Sequence, residues 1–194
     1  WGGNDRAPKF PIPTNLDFLL HYGTVRSDQA ALEHALNTLL HMERGGIHDH
    51  IGGGFARYSV DEKWHVPHFE KMLYDNAQLA GTFARAWQAL PEAPASERAA
   101  LQQAALGIVD LVQREWSHSS GGFYSALDAD SDGVEGKYYV WTAEELRAVL
   151  TEEEYRLCAQ AYEVDGKSAW DEYESEATAN VLMKWASDES IATS

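Results

Sequence analysis

Apolar residues recur at intervals of three and four over much of the chain, the spacing that lines one face of an α-helix. Leu32, Ala35, Leu36 and Leu39 make one such stripe. Ser27 stands where it would cap that helix, and Gly45-Gly46 stands where a left-handed stop costs least. Pro67 suits the first position of a second helix running towards Leu90. Its apolar face would carry Phe69, Leu73, Ala80, Ala84 and Trp87. Pro91 to Pro94 breaks the pattern and Ser96 caps a third helix, whose stripe of Leu101, Ala105, Ile108 and Val112 ends near Trp116. Thr142 with Glu145, then Thr151 with Glu154, are successive capping boxes that open two shorter helices. Asn15 to Tyr22 is a fainter helical stretch.

Period-two signal is confined to one region. Gly122 to Leu127 and Lys137 to Trp141 are aromatic and β-branched, and the polar, Gly-bearing stretch Ser131 to Gly136 separates them, which predicts a hairpin. Gly45 to His65 reads as a long glycine-rich loop. The sum is an all-α fold of helical hairpins, joined by short turns on one side and decorated loops on the other, with one β-hairpin insertion. Asp165 to Ser194 is polar and aperiodic and predicts no element.

Composition narrows the function. Fifteen Lys and Arg against 31 Asp and Glu leave a net charge of −16. That argues against binding nucleic acid, whose phosphates need clustered cations, and against docking on an anionic membrane. A 44% apolar content with seven Trp argues against disorder. No run approaches the roughly 18 apolar residues of a membrane span, and no charged-then-apolar leader opens the chain. Cys158 stands alone, so neither an internal disulfide, a CxxC redox pair nor a cysteine-built zinc site is expected. A globular, acidic, cytoplasmic protein is the expectation.

Three segments carry a family resemblance. Gly2 to Pro11 reads GGNDRAPKFP; Gly45 to Asp61 reads GGIHDHIGGGFARYSVD and continues through Val66 to Asn76; Gly121 to Ser131 reads GGFYSALDADS, followed by Glu135 to Trp141. Together they resemble the YyaL-type thioredoxin-domain-containing family, the group of spermatogenesis-associated protein 20-like proteins, over about residues 1 to 163. The resemblance implies a thioredoxin-like domain followed by an (α/α) helical-hairpin toroid akin to six-hairpin glycosidases and sugar 2-epimerases. Residues 1–194 would then form the amino-terminal half of the toroid, with the thioredoxin-like domain absent from this chain. The sequence departs from the family at His48, usually Tyr, and at His65, usually apolar.

Candidate chemistry gathers in the same segments. At the start of a Pro67 helix, His68 would lie near free N–H groups, with Glu70 beside it and Asp75 two turns on. A histidine whose tautomer is fixed by a carboxylate suits proton transfer at a sugar carbon or to a leaving oxygen. Asp128 and Asp130 are a second candidate acid–base pair. His50, Arg57, Tyr58, Tyr124, Tyr138 and Trp141 are candidate substrate contacts, the rings as stacking platforms and Arg57 as a planar donor fork. Each has a plainer role too: His68 and Glu70 bracing a helix, Arg57 pairing with a carboxylate, the aromatics filling a core. Gly52-Gly53-Gly54 lets backbone approach a ligand or another segment closely.

Two stretches carry metal-type donors. His48, His50, His65 and His68, with Asp49, have the donor types of a zinc site, yet only His50 and His68 match the family pattern, and no metal is assigned. Asp128 to Gly133 opens like a calcium loop, but Tyr139 stands where the bidentate Glu belongs. No cofactor is expected. The functional expectation is acid–base chemistry on a small-molecule sugar or polyol, of epimerase or glycoside-hydrolase type. The alternative is a non-catalytic module that packs on a protein partner or a thioredoxin-like domain. Half a toroid would also leave an apolar flank, to be covered by self-association or by the missing carboxyl-terminal half.

Overall fold

Four long helices pair into two antiparallel hairpins because the turns between them are too short to allow anything else. The computed structural model describes residues 1–162, 164 and 179–184. α1 (Pro13–Arg26) and α2 (Gln29–Arg44) form the first hairpin, α3 (Leu73–Ala89) and α4 (Ala95–Leu111) the second. α1 also packs on α3, and α2 on α4. α5 (Ala143–Val149) and α6 (Glu152–Ala161) follow, each opened by its predicted capping box, Thr142 with Glu145 and Thr151 with Glu154. Among the described residues these are the six α-helices, and no helix is long and apolar enough to cross a membrane.

The main core lies between the two hairpins. Leu16 and Leu20 from α1 and Ala35, Leu39 and Met42 from α2 meet Leu79 and Phe83 from α3 and Leu101 and Ile108 from α4. Details differ from the pattern-based expectation by a residue or a turn. The α2 cap is Asp28, whose Oδ1 accepts from Ala31 N at 3.1 Å. Ser27 instead takes the left-handed position that ends α1. α1 itself is longer than the faint Asn15–Tyr22 signal. α4 starts at Ala95 and ends at Leu111, and the chain continues as a π-turn, Val112–Trp116, which seats Trp116 with no exposure.

The largest correction concerns Pro67. No helix begins there. β1 (Tyr58–Ser59) pairs antiparallel with β2 (Pro67–His68), and β3 (Lys71–Met72) pairs with β4 (Ala126–Leu127), so α3 starts six residues later. Pairing with distant segments overrides the local helix-start signal, and Pro67, lacking an N–H, is tolerated in a short two-stranded ribbon. The buried stripe of α3 accordingly runs through Asn76, Leu79, Phe83 and Ala86. The predicted face loses Phe69 from the helix, while Ala80 and Trp87 pack at its margin.

The single predicted hairpin is also corrected. Ala126–Leu127 goes to β3, and the hairpin lies inside what reads as its turn: β5 (Asp130–Ser131) pairs with β6 (Val134–Glu135). Asp132 and Gly133 between them both have positive φ, 54° and 76°, the Asp-Gly signature of a tight two-residue turn. β7 (Trp141–Thr142) pairs with β8 (Ala179–Asn180), within the stretch for which sequence predicts no element.

The glycine-rich loop is held by a side chain that imitates a strand. Asn76 Oδ1 accepts from Phe55 N at 2.7 Å, and its Nδ2 donates to Phe55 O at 2.9 Å and to Met72 O at 3.1 Å. Gly53 and Gly54, at φ of 79° and 80°, bring the loop against α4, where a Cβ on Gly53 would stand 2.5 Å from Gly107 O. The close approach is thus to a helix. Asn76→Leu would strand two buried backbone groups, each worth about 1–3 kcal/mol unsatisfied. Urea unfolding is expected to show a loss of roughly 2–5 kcal/mol, whereas Asn37→Leu, on the exposed face of α2, should stay within about 0.5 kcal/mol.

Candidate functional site

One extended segment, residues 66–72, supplies two groups of side chains. From His68 onward exposure alternates: His68, Glu70 and Met72 are partly exposed, while Phe69 and Lys71 are buried. Successive side chains of an extended chain point to opposite faces, so Phe69 and Lys71 turn inward and His68 and Glu70 turn outward.

On the inward side, Lys71 Nζ donates to Asp49 Oδ2 at 2.7 Å and to Gly53 O at 2.8 Å, and lies 4.9 Å over the Tyr139 ring. Phe69 stacks on the same ring. Burial alone would raise the Asp49 carboxyl, but the Lys71 ammonium and the Gly52 and Ile51 amides outweigh it and hold it below its ordinary value. Lys71 is more deeply buried, and for it the loss of hydration prevails and lowers its pKa. Burial, then the negative charge of Asp49, pushes the Tyr139 hydroxyl up to about 12. Beside this pair opens a cleft of about 340 Å³ bordered by Arg114, Asp128, Asp130 and Tyr138.

On the outward side, Arg57 Nη1 donates to Glu70 Oε2 at 3.1 Å. Asp75 is half-buried, its Oδ2 has no hydrogen-bond partner among the described residues, and its pKa is raised by burial and by the Glu70 charge, against the pull of Arg57. Tyr58 stacks on His68 at 4.9 Å between centroids, and Phe10 packs at a tilt on Tyr58 at 4.8 Å. His68 Nδ1 lies 2.7 Å from Glu135 Oε1. Glu135 is the cross-strand partner of Asp130, so the hairpin joins the two groups.

The candidate residues thus fall into two neighbouring sets. Arg57, Tyr58, His68, Glu70 and Asp75 share the outward face; Asp128, Asp130 and Tyr138 border the inward cleft. His50 lies on an adjoining hollow with Asp49 and Lys71. His68 stands on a strand, so a helix N-terminus plays no part in its chemistry. Trp141 lies away from both sets, packed with Leu146 and Tyr155, and Tyr124 is exposed with its edge to His118. The inward partners Asp49, Lys71 and Tyr139 and the carboxylate Glu135 lie within the segments that carry the resemblance, but no local pattern assigns them these partners.

These features define a helical-hairpin domain whose glycine-rich loop, short ribbons and acidic hairpin are gathered at adjoining sites. No protein-family model matches the chain. The chain is 48% identical to human spermatogenesis-associated protein 20 over 162 residues, which is 78% of this chain and 20% of that protein. The mouse protein of the same name is 47% identical over the same extent. Uncharacterized protein B0495.5 of Caenorhabditis elegans is 36% identical over 213 aligned positions, 99% of this chain and 28% of that protein. The chain belongs to the spermatogenesis-associated protein 20-like family, and it spans about a fifth of the length of its curated mammalian relatives.

The Asp49–Lys71 pair sets an acid limit to stability. Because the folded Asp49 value lies below 3.8, its contribution is complete above that pH and is lost as the pH falls through the folded value. Asp49→Asn, which leaves a buried ammonium without its counter-charge, is expected to cost about 3–5 kcal/mol near neutral pH. Its denaturation curves should also show a shallower acid limb than those of the unaltered chain between pH 5 and 2.

Proposed function

We propose that the outward cluster performs acid–base chemistry on a sugar or polyol, within the amino-terminal half of an (α/α) toroid of six-hairpin glycosidase type. The observation that carries this reading is the Asp75 carboxyl, raised in pKa beside a Glu70 that Arg57 holds in an ion pair. A carboxyl group whose proton affinity burial raises is suited to give a proton to a leaving oxygen. Asp75 holds the proton to be given; Glu70 takes one or stabilises positive charge. His68, fixed by Glu135, relays protons at the border of the cluster. Phe10, which packs on Tyr58 and is itself exposed, offers a ring face for a pyranose, and the exposed Tyr74 a further one. Two stacked helical hairpins are in keeping with the toroid reading.

The test is a panel of pyranoses and polyols screened by thermal shift and by turnover. Asp75→Asn and Glu70→Gln should each lower the turnover of any hit by about 10²–10⁴-fold and leave the fold intact. Since Asp75 must be protonated, the rate should fall as pH rises through its raised value, a limb absent in Asp75→Asn. A panel without any shift or turnover, or a hit indifferent to both substitutions, overturns the proposal.

A second reading, a module that packs on a protein, has its own support. Phe123, Tyr124 and Tyr138 are 61%, 52% and 74% exposed, apolar surface of the kind a partner covers. On that reading the covering partner is a second copy or the remainder of the toroid. Tyr138→Ser should then weaken self-association in sedimentation without changing the sugar screen.

A further inference from the structure

We propose that Glu43, His48 and His50 form a binding site for a first-row divalent transition metal such as Zn²⁺. Each places one donor atom within 4.8 Å of the other two. Their chemistry, two imidazoles and a carboxylate, is a donor set that such ions favour. The sequence alone assigns no metal here, because His48 departs from the family pattern and Glu43 carries no signal of being a donor. Glu43 stands in the last turn of α2, which the chain reversal at Gly45-Gly46 folds back over the histidines.

Each ring is held in place by a backbone carbonyl. His48 Nδ1 lies 2.9 Å from Glu43 O, and His50 Nε2 lies 3.1 Å from Gly45 O. A carbonyl oxygen only accepts, so in each ring these nitrogens carry the proton and the other nitrogen presents a lone pair. Backbone carbonyls fix the tautomer of ligating histidines in this way. His48 is also clamped by stacking on Phe55 at 4.6 Å. His50 Nδ1, the nitrogen left with a lone pair, is buried and has no partner among the described residues. An orphaned buried acceptor is costly unless something fills its place. The three residues border a cleft of about 220 Å³, which gives an ion a route in and leaves a coordination position open to it.

Lys184 is the rival cation. Its Nζ donates to Glu43 Oε1 at 3.1 Å, and Glu43 is 4% exposed. A buried carboxylate needs a positive partner, and ammonium and metal ion compete for the same one. Removing the ammonium should therefore strengthen metal binding, an outcome that incidental histidine binding does not produce.

The test uses the 194-residue chain, stripped with chelator and titrated with Zn²⁺ by calorimetry and with Co²⁺ by visible absorption. One ion per chain is expected, with Co²⁺ bands characteristic of nitrogen and oxygen ligands. His48→Phe, which keeps the stack on Phe55, and His50→Ala should each weaken affinity by at least about tenfold. His118→Ala, at an exposed histidine elsewhere, should change nothing, and Lys184→Met should tighten binding. Circular dichroism verifies that each variant is folded; should His50→Ala fail to fold, His48→Phe and Lys184→Met decide alone. Failure to bind one ion per chain, or binding unmoved by His48→Phe and by Lys184→Met, overturns the assignment.

Discussion

The buried contact between Lys71 and Asp49 is the constraint around which the decorated end of this domain is arranged. An ammonium 3% exposed persists inside a protein only when its hydrogen bonds are met and its charge is balanced. Asp49 and Gly53 O meet that need from the glycine-rich loop, and the Tyr139 ring covers the remaining side. The loop, the strand carrying Lys71 and the segment after the acidic hairpin are thereby fixed to one another. Asn76 supplies the same service from below, pairing the Phe55 backbone to α3. Two polar side chains, each fully used, replace the hydrogen-bond ladder that a larger sheet would have provided.

How much of this was legible depends on the range of the interaction responsible. Capping is local, and the boxes at Thr142 and Thr151 stand where the sequence puts them. So does the paired arrangement of the long helices, because apolar periodicity and short breakers suffice to specify it. Ser27 and Asp28 show the limit of local reading. Both are good caps, and the choice falls to Asp28 because the end of α1 needs a residue in the left-handed region one position earlier. Pro67 shows a deeper limit. Its helix-start signal is genuine, but β1 offers Pro67 and His68 pairing partners 8 and 10 positions away, and β4 offers Lys71 and Met72 partners 56 and 54 positions away, and no local pattern reports those.

The candidate site divides along the same line. His68, Glu70, Asp75, Arg57 and Tyr58 are legible because they crowd into one stretch of chain or into the loop that pairs with it. Asp128 and Asp130 are legible as a pair, and their cleft is where Lys71 emerges. Glu135, Lys71 and Asp49 acquire meaning only when distant segments are brought together. Trp141 shows the complementary limit: an aromatic beside a polar turn has the same appearance in sequence whether it faces a ligand or packs, as here, against Leu146 and Tyr155.

The alternation from His68 to Met72 joins the candidate site to its support. A helix starting at Pro67 would have spread His68, Glu70 and Lys71 around a cylinder, each facing a different neighbour. An extended chain sorts them by parity instead. Even positions, His68 and Glu70, go to the partly exposed face with Arg57 and Tyr58, where proton exchange with a ligand is feasible. Odd positions, Phe69 and Lys71, go to the interior and hold that face in place through Tyr139 and Asp49. Chemistry and support thus share one short segment. A shift of one residue in its register would bury His68 and Glu70 and expose Lys71, removing the candidate site and its foundation in a single step.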